Sequence, residues 1–236
     1  MTVSTSREPA RIAGMFDAIA WRYDRLNHLL SLGLDRVWRR RAIRELALQD
    51  GDRVLDVCTG TGDLAVEALK GRRVSVLGVD FAGEMLKHAL EKVRRGGMDD
   101  RIRLARGDAT RLPVPDAAYD AAMVAFGIRN VADPSAALRE MSRALRPGGR
   151  LVILEFGFPK IPGIRGLYKA YFRHVLPRVG RAMSRHGEAY AYLPASVADF
   201  DSDDGVRTLI RNAGFESVTS VPLTLGIVYL YSARKA

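Results

Sequence analysis

Short apolar runs alternate with segments of helical spacing through the middle of the chain. RVLDV (53–57) is an apolar run that leads into glycine-rich sequence, which predicts a buried strand. Residues 61–70 then read as a helix, 74–80 as a strand, and Gly83–Arg95 as a helix closed by Gly96-Gly97. A third strand is predicted over 101–108, a fourth over 119–126, a helix over 134–145 that stops at Pro147-Gly148-Gly149, and a fifth strand over 150–156. Upstream, Ile12–Leu48 has helical spacing with breaks near Ser31–Gly33. Downstream, a helix over 204–214 precedes two β-rich runs, 216–223 and 226–235, whose short link permits only an antiparallel pair.

Strand and helix in strict alternation predict a parallel sheet covered on both faces. The expected fold class is therefore α/β: a Rossmann-like, seven-stranded, mostly parallel sheet with a C-terminal antiparallel hairpin and helices on both faces. At 236 residues the chain suits one large domain. Within it, 1–50 form an N-terminal helical cap, 51–156 the core, 157–200 a helical insertion, and 201–236 the final helix and hairpin. The insertion places Ile164, Leu167, Tyr168, Tyr171, Phe172, Val175 and Leu176 on one face, opposite Arg165, Lys169 and Arg173, with Pro177 ending or kinking the helix.

Charge and cysteine content narrow the function classes. One cysteine excludes an internal disulfide, and with no histidine pair at ligand spacing no metal site is expected. A polar N-terminus carrying Glu8 argues against a secretory signal, and no run is apolar enough to span a bilayer, so a cytoplasmic protein is expected. The net charge of +10 permits contact with nucleic acid, anionic lipid or anionic substrates. Half of that excess falls within 157–200, beside an apolar face and without base-stacking aromatics, so nucleic acid is not the expected partner. The same face suits either core packing or a peripheral seat on an anionic membrane.

In an open α/β sheet, ligands bind beyond the carboxyl ends of the strands. After the first strand stand Asp56-Val57-Cys58-Thr59-Gly60-Thr61-Gly62-Asp63, where Gly60 and Gly62 let backbone approach a ligand closely. The second strand ends in Asp80, placed to accept from a ribose diol. The third ends in Gly107-Asp108-Ala109, offering a carboxylate to an adenine amino group, and the fourth in Ala125-Phe126-Gly127-Ile128-Arg129-Asn130. Gly60-x-Gly62-x-x-Ala65 also fits the dinucleotide fingerprint, so a nicotinamide-dependent oxidoreductase must be weighed. Asp56 opposes a pyrophosphate there but suits an amino-acid ammonium group. With Asp108, the Pro-Gly-Gly and the hairpin, it favours S-adenosyl-L-methionine. Cys58 reads as a small buried filler, and His88, His174 and His186 as surface groups.

This constellation resembles the class I S-adenosylmethionine-dependent methyltransferases. Two stretches narrow it further: Tyr23-Asp24-Arg25-Leu26-Asn27-His28-Leu29-Leu30-Ser31, and Arg143 through Phe156 (RALRPGGRLVILEF). With Phe126-Gly127-Ile128-Arg129-Asn130-Val131 and the Asp56–Asp63 loop, they are similar to the signatures of the C-methyltransferase family of menaquinone and ubiquinone biosynthesis. The sequence departs from that family at Asp35, Ala125 and Gly157. The resemblance implies S-adenosyl-L-methionine as cofactor and S-adenosyl-L-homocysteine as product. Thr61, Asp80, Asp108 and Ala109 map onto cofactor positions, Met85 packs on adenine, and Ala125 stands where a contact serine is common. It implies a prenylated quinol acceptor, either naphthoquinol or benzoquinol, with another small molecule or nucleic acid as alternative. Arg129 is then the catalytic candidate, lowering the quinol pKa or holding a water. Tyr23, Asn27, His28 and Tyr190 are polar substrate contacts, Phe172 lies in a prenyl pocket, and a homo-oligomer is allowed.

Overall fold

The computed structural model describes residues 7–171, 187–200 and 203–236. Among the described residues, seven strands make one sheet: β1 (Arg53–Val57), β2 (Ser75–Asp80), β3 (Ile102–Arg106), β4 (Tyr119–Ala125), β5 (Leu145–Phe156), β6 (Phe215–Leu223) and β7 (Val228–Lys235). Their order is β3-β2-β1-β4-β5-β7-β6. The first five run parallel, while β7 pairs antiparallel with both β5 and β6. The order reverses between β1 and β4, which opens a crevice at their carboxyl ends.

The helices are α1 (Pro9–Leu30), α2 (Leu34–Leu46), α3 (Asp63–Ala68), α4 (Gly83–Arg95), α5 (Pro134–Ala144), α6 (Pro162–Ala170), α7 (Gly187–Asp199) and α8 (Asp203–Asn212). Successive strand residues point to opposite faces, and both faces are apolar because both are covered. Leu55, Val57 and Ile153 pack with Leu138 and Met141 of α5 and Ile210 of α8. Val54, Val76 and Leu154 pack with Ile43 and Leu46 of α2, Leu64 of α3 and Val93 of α4.

Boundaries moved where glycine and chain reversal act. The β5 strand begins at Leu145 and runs through Pro147-Gly148-Gly149. There Gly148 takes φ +70°, and a Cβ at Gly149 would lie 2.7 Å from the Arg146 carbonyl oxygen. Pairing survives as a register shift, Tyr119 facing Leu145 and Ala121 facing Arg150. The β3 strand stops at Arg106, which leaves Asp108 in a turn bridged to Arg111. Leu32 and Gly33, both at positive φ, separate α1 from α2.

One element decides the site. The α1 helix packs on α4 and α7, and the Asp17 Oδ1 caps α4 by accepting the Glu84 N–H at 2.8 Å. In the insertion, α6 is described to Ala170. Phe172, His174, Val175, Leu176, Pro177 and His186 lie outside the described residues, as does the side chain of Tyr190.

Candidate active site

Two cavities meet at the carboxyl edge of the sheet. The first is floored by the ends of β1, β2, β3 and β4 and roofed by α1 through Pro9, Ile12, Ala13 and Phe16. The second is roomier, almost wholly apolar, and lies between α1, α2, α6 and α7. Phe16, Tyr23 and Phe126 line both, so they form the wall between them. A reacting pair held one in each cavity would face each other across those three side chains.

The smaller cleft gathers Gly60, Asp80, Met85, Asp108, Ala109 and Ala125, as the strand-end reading expects. Asp80 accepts the Gly60 N–H at 2.7 Å through Oδ2 and the Ala82 N–H at 2.9 Å through Oδ1, so it shapes the glycine loop as well as facing the cleft. Burial pushes its carboxyl up against those two backbone bonds. Asp108 accepts the N–H and hydroxyl of Thr110 through Oδ1, and its Oδ2 takes no hydrogen bond among the described residues. Asn130, also in the cleft, has a buried Oδ1 with no hydrogen-bond partner among the described residues. Free acceptors above an apolar floor of Met85 and Ala109 suit a nucleoside: carboxylates for hydroxyl and amino groups, apolar side chains for a flat base.

Several expected contacts lie elsewhere. Asp56 lines neither cavity: it is 1% exposed, and its Oδ2 accepts the Thr59 hydroxyl at 2.6 Å. The chain reverses at Cys58 (φ +55°), folding the loop back over the strand end, and Gly127 makes room because a Cβ there would lie 2.4 Å from the Cys58 Cβ. Cys58 itself reaches the cleft, with its thiol pushed well up by burial and by the acids around it. Gly62 (φ +80°) and Thr61 also stand off the cleft. The Thr61 hydroxyl donates to Asp24 Oδ1 of α1 at 2.5 Å. Asp24 takes a second bond from Lys92 Nζ at 2.7 Å, and Lys92 reaches Asp63 at 2.6 Å. These links latch the α1 roof to the cofactor loop and to α4.

Burial and the nearby Asp80 charge raise the Asp56 carboxyl to about 7, against the Thr59 hydrogen bond. An unfolded aspartate titrates near ~4, so between about pH 4 and 7 the folded chain keeps a proton that the unfolded chain has released. Stability from this group is therefore full below that window and is lost as pH rises through it. Asp56→Asn is expected to gain in melting temperature relative to wild type from pH 4 to pH 8. An equal difference at both pH values would contradict this.

In the large cavity, Tyr23 and Asn27 line the wall as expected. His28 does not: its Nδ1 lies 2.7 Å from Asp35 Oδ2. Burial raises the Asp35 carboxyl, but His28, Arg39 and Ser31 outweigh it and hold it below the usual range. Arg129 lines the cavity but is not free to act alone. Its Nη1 donates to Glu155 Oε1 at 2.7 Å and to the Phe126 carbonyl at 2.6 Å, Nε donates to Ser196 Oγ at 3.3 Å, and the guanidinium lies 5.3 Å from the Phe156 ring centroid. Glu155 is 1% exposed, so the pair is a buried one. Glu155 and Asp24 sit inside the quoted motifs, yet nothing local marks their long-range partners.

A doubly wound sheet with β7 inserted antiparallel between β5 and β6, carrying carboxylates at its strand ends, defines a class I S-adenosylmethionine-dependent methyltransferase. Residues 2–235 match the profile of the ubiE/COQ5 methyltransferase family, and the chain belongs to that family. It is 45% identical over 232 residues to the ubiquinone/menaquinone biosynthesis C-methyltransferase UbiE of Geobacter sp. (strain M21), covering 98% of each. It is 47% identical over 223 residues to the demethylmenaquinone methyltransferase of Deinococcus radiodurans, covering 94% of this chain and 91% of that one. A SAM-dependent methyltransferase from Aquifex aeolicus shares the fold at a TM-score of 0.62 and 20% identity, over 97% of this chain and 99% of that one.

Proposed function

We propose that the chain methylates a ring carbon of a prenylated quinol, converting a demethylmenaquinol to a menaquinol. The observation that carries this is the large apolar cavity abutting the nucleoside-type cleft across Phe16, Tyr23 and Phe126. A ring with a long hydrocarbon tail needs such a room, and a polar acceptor does not. The relatives' names point the same way. S-adenosylmethionine, when bound, supplies the electrophilic methyl group.

What the protein adds is orientation and charge. Ring carbon becomes nucleophilic when the adjacent hydroxyl loses its proton; the new carbon–carbon bond would form as the methyl's bond to sulfur breaks, S-adenosylhomocysteine being the leaving group, and the displaced ring proton then passes to solvent to restore aromaticity. The large cavity's ionic groups are already paired among themselves: Arg129 with Glu155, and Asp35 with Arg39. It therefore presents polarised hydrogen-bond donors rather than a bare charge. Burial raises the Tyr23, Tyr168, Tyr171 and Tyr192 phenols, which keeps them protonated as donors at neutral pH. Turnover of demethylated naphthoquinol and benzoquinol in parallel decides the acceptor. Faster turnover of the naphthoquinol supports this reading, and exclusive use of the benzoquinol would assign the chain to the ubiquinone branch.

The rim of the large cavity supports a peripheral seat on a membrane. No helix among the described residues is long and apolar enough to cross a bilayer. Leu32 (86% exposed) and Leu167 (74% exposed) line the cavity and also project to solvent, with Leu225 (60% exposed) next to the lining residue Thr224. Arg36 of α2 and Arg165 of α6 are exposed as well. Each basic group near an anionic surface contributes about 1 kcal/mol, so reversible, salt-sensitive binding is expected. Flotation with anionic vesicles should recover the protein at low salt and lose it at high salt. Failure to float at low salt would remove the membrane from this reading.

A further inference from the structure

The wall of the large cavity carries a buried hydroxyl on α7 that the described residues leave unmatched. Tyr192 of α7 is 2% exposed and lines the cavity, and its buried hydroxyl has no hydrogen-bond partner among the described residues. Leaving a buried hydroxyl unmatched costs about 1–3 kcal/mol, and phenylalanine would fill the same space without that cost. One turn along the same helix face, Ser196 Oγ accepts from Arg129 Nε at 3.3 Å. Arg129 in turn holds the Phe126 carbonyl, and Phe126 belongs to the wall shared with the cofactor cleft. Tyr192 is thus fixed to the end of the cavity where the two rooms meet. The Arg11 guanidinium of α1 lies 6.0 Å from its ring centroid.

We propose that the Tyr192 hydroxyl donates a hydrogen bond to the ring oxygen next to the acceptor's reacting carbon, with the Arg129–Glu155 pair beside it setting the polarity of that corner. This rests on the quinol reading and deepens it. Of the donors on this wall, the Tyr171 hydroxyl already bonds the Leu30 carbonyl and Arg129 is held by Glu155, whereas the Tyr192 hydroxyl is uncommitted among the described residues. As the ring hydroxyl gives up its proton, the oxygen gains negative charge, and a donor fixed in advance stabilises that charge without reorganising. Burial pushes the Tyr192 phenol up, with Arg129, Arg7 and Arg11 pulling the other way, so the group remains a donor.

The test is Tyr192→Phe in the full chain, assayed with a short-tailed demethylnaphthoquinol and with its ring-chlorinated analogue, whose hydroxyl ionises more readily. Loss of a hydrogen bond to a charged oxygen corresponds to about ten-fold or more in kcat. That loss is expected with an unchanged KM for S-adenosylmethionine, a smaller loss for the chlorinated quinol, and a melting temperature at or above wild type. Equal turnover by variant and wild type would overturn the role of Tyr192 while leaving the quinol reading intact. A lowered melting temperature with parallel losses in kcat and cofactor affinity would assign Tyr192 to structure alone. A wild-type enzyme inactive on both quinols would overturn the acceptor assignment itself, and Tyr192's role with it.

Discussion

Asp80→Ala is expected to weaken S-adenosylhomocysteine binding by about ten- to a hundred-fold. A charged hydrogen bond contributes about 1.5–3 kcal/mol, and the one proposed to a ribose diol is not the only one Asp80 makes. It also accepts the N–H groups of Gly60 and Ala82, so its removal leaves two loop donors without their acceptor and loosens the turn that shapes the cleft. Asp80→Asn keeps an acceptor oxygen for one of those donors and should fall between wild type and alanine. Calorimetric titration measures this directly. Unchanged affinity in the alanine variant would place the ribose elsewhere in the cleft.

Arg129→Ala is expected to cost about 3–5 kcal/mol of stability, because it strands Glu155 as an uncompensated buried charge. Glu155 Oε1 also accepts the Phe156 N–H, so the carboxylate cannot swing out to water without breaking the end of β5. Adding Glu155→Leu to Arg129→Ala should recover much of the loss, since the charge is then removed with its partner. Urea denaturation of the two variants checks both statements. A single variant as stable as wild type would contradict the buried pair. Any loss of turnover in Arg129→Ala must therefore be read beside its stability.

Much of the architecture was legible because it depends on short-range pattern. The apolar runs at 53–57 and 119–126 fall within a residue or so of β1 and β4, and the short link after 223 forced the antiparallel pair. Glycine exceptions moved the rest: Pro147-Gly148-Gly149 looks like a stop, yet β5 pairs through it by shifting register. At the site, Asp80 and Asp108 were legible since a strand end fixes their position. Asp56 also stands at a strand end, yet it does not line the cleft. A positive φ at Cys58 turns the loop over its carboxylate, and sequence spacing carries no sign of that reversal.

The partners that lock the site were not legible, because each crosses a long stretch of chain. Asp24 meets Thr61 and Lys92, and Arg129 meets Glu155 and Ser196, only once α1 and α7 have packed over the sheet. The amphipathic reading of 164–179 held in part for the described residues. Tyr168 is buried against Phe158 while Leu167 of the same predicted face is exposed, as the rim of a cavity requires. Where a helix borders an internal room, its apolar residues divide between wall and rim, and periodicity alone does not separate the two.

The central claim is that a methyl group passes from the cleft under α1 to a ring carbon in the apolar cavity. Incubation with S-adenosylmethionine carrying a ¹³C methyl and with reduced demethylmenaquinol, followed by carbon NMR of the extracted lipid, tests it most directly. The account predicts the label as an aromatic C-methyl on the quinol ring. An O-methyl ether, or label recovered only in unreacted cofactor, would contradict it.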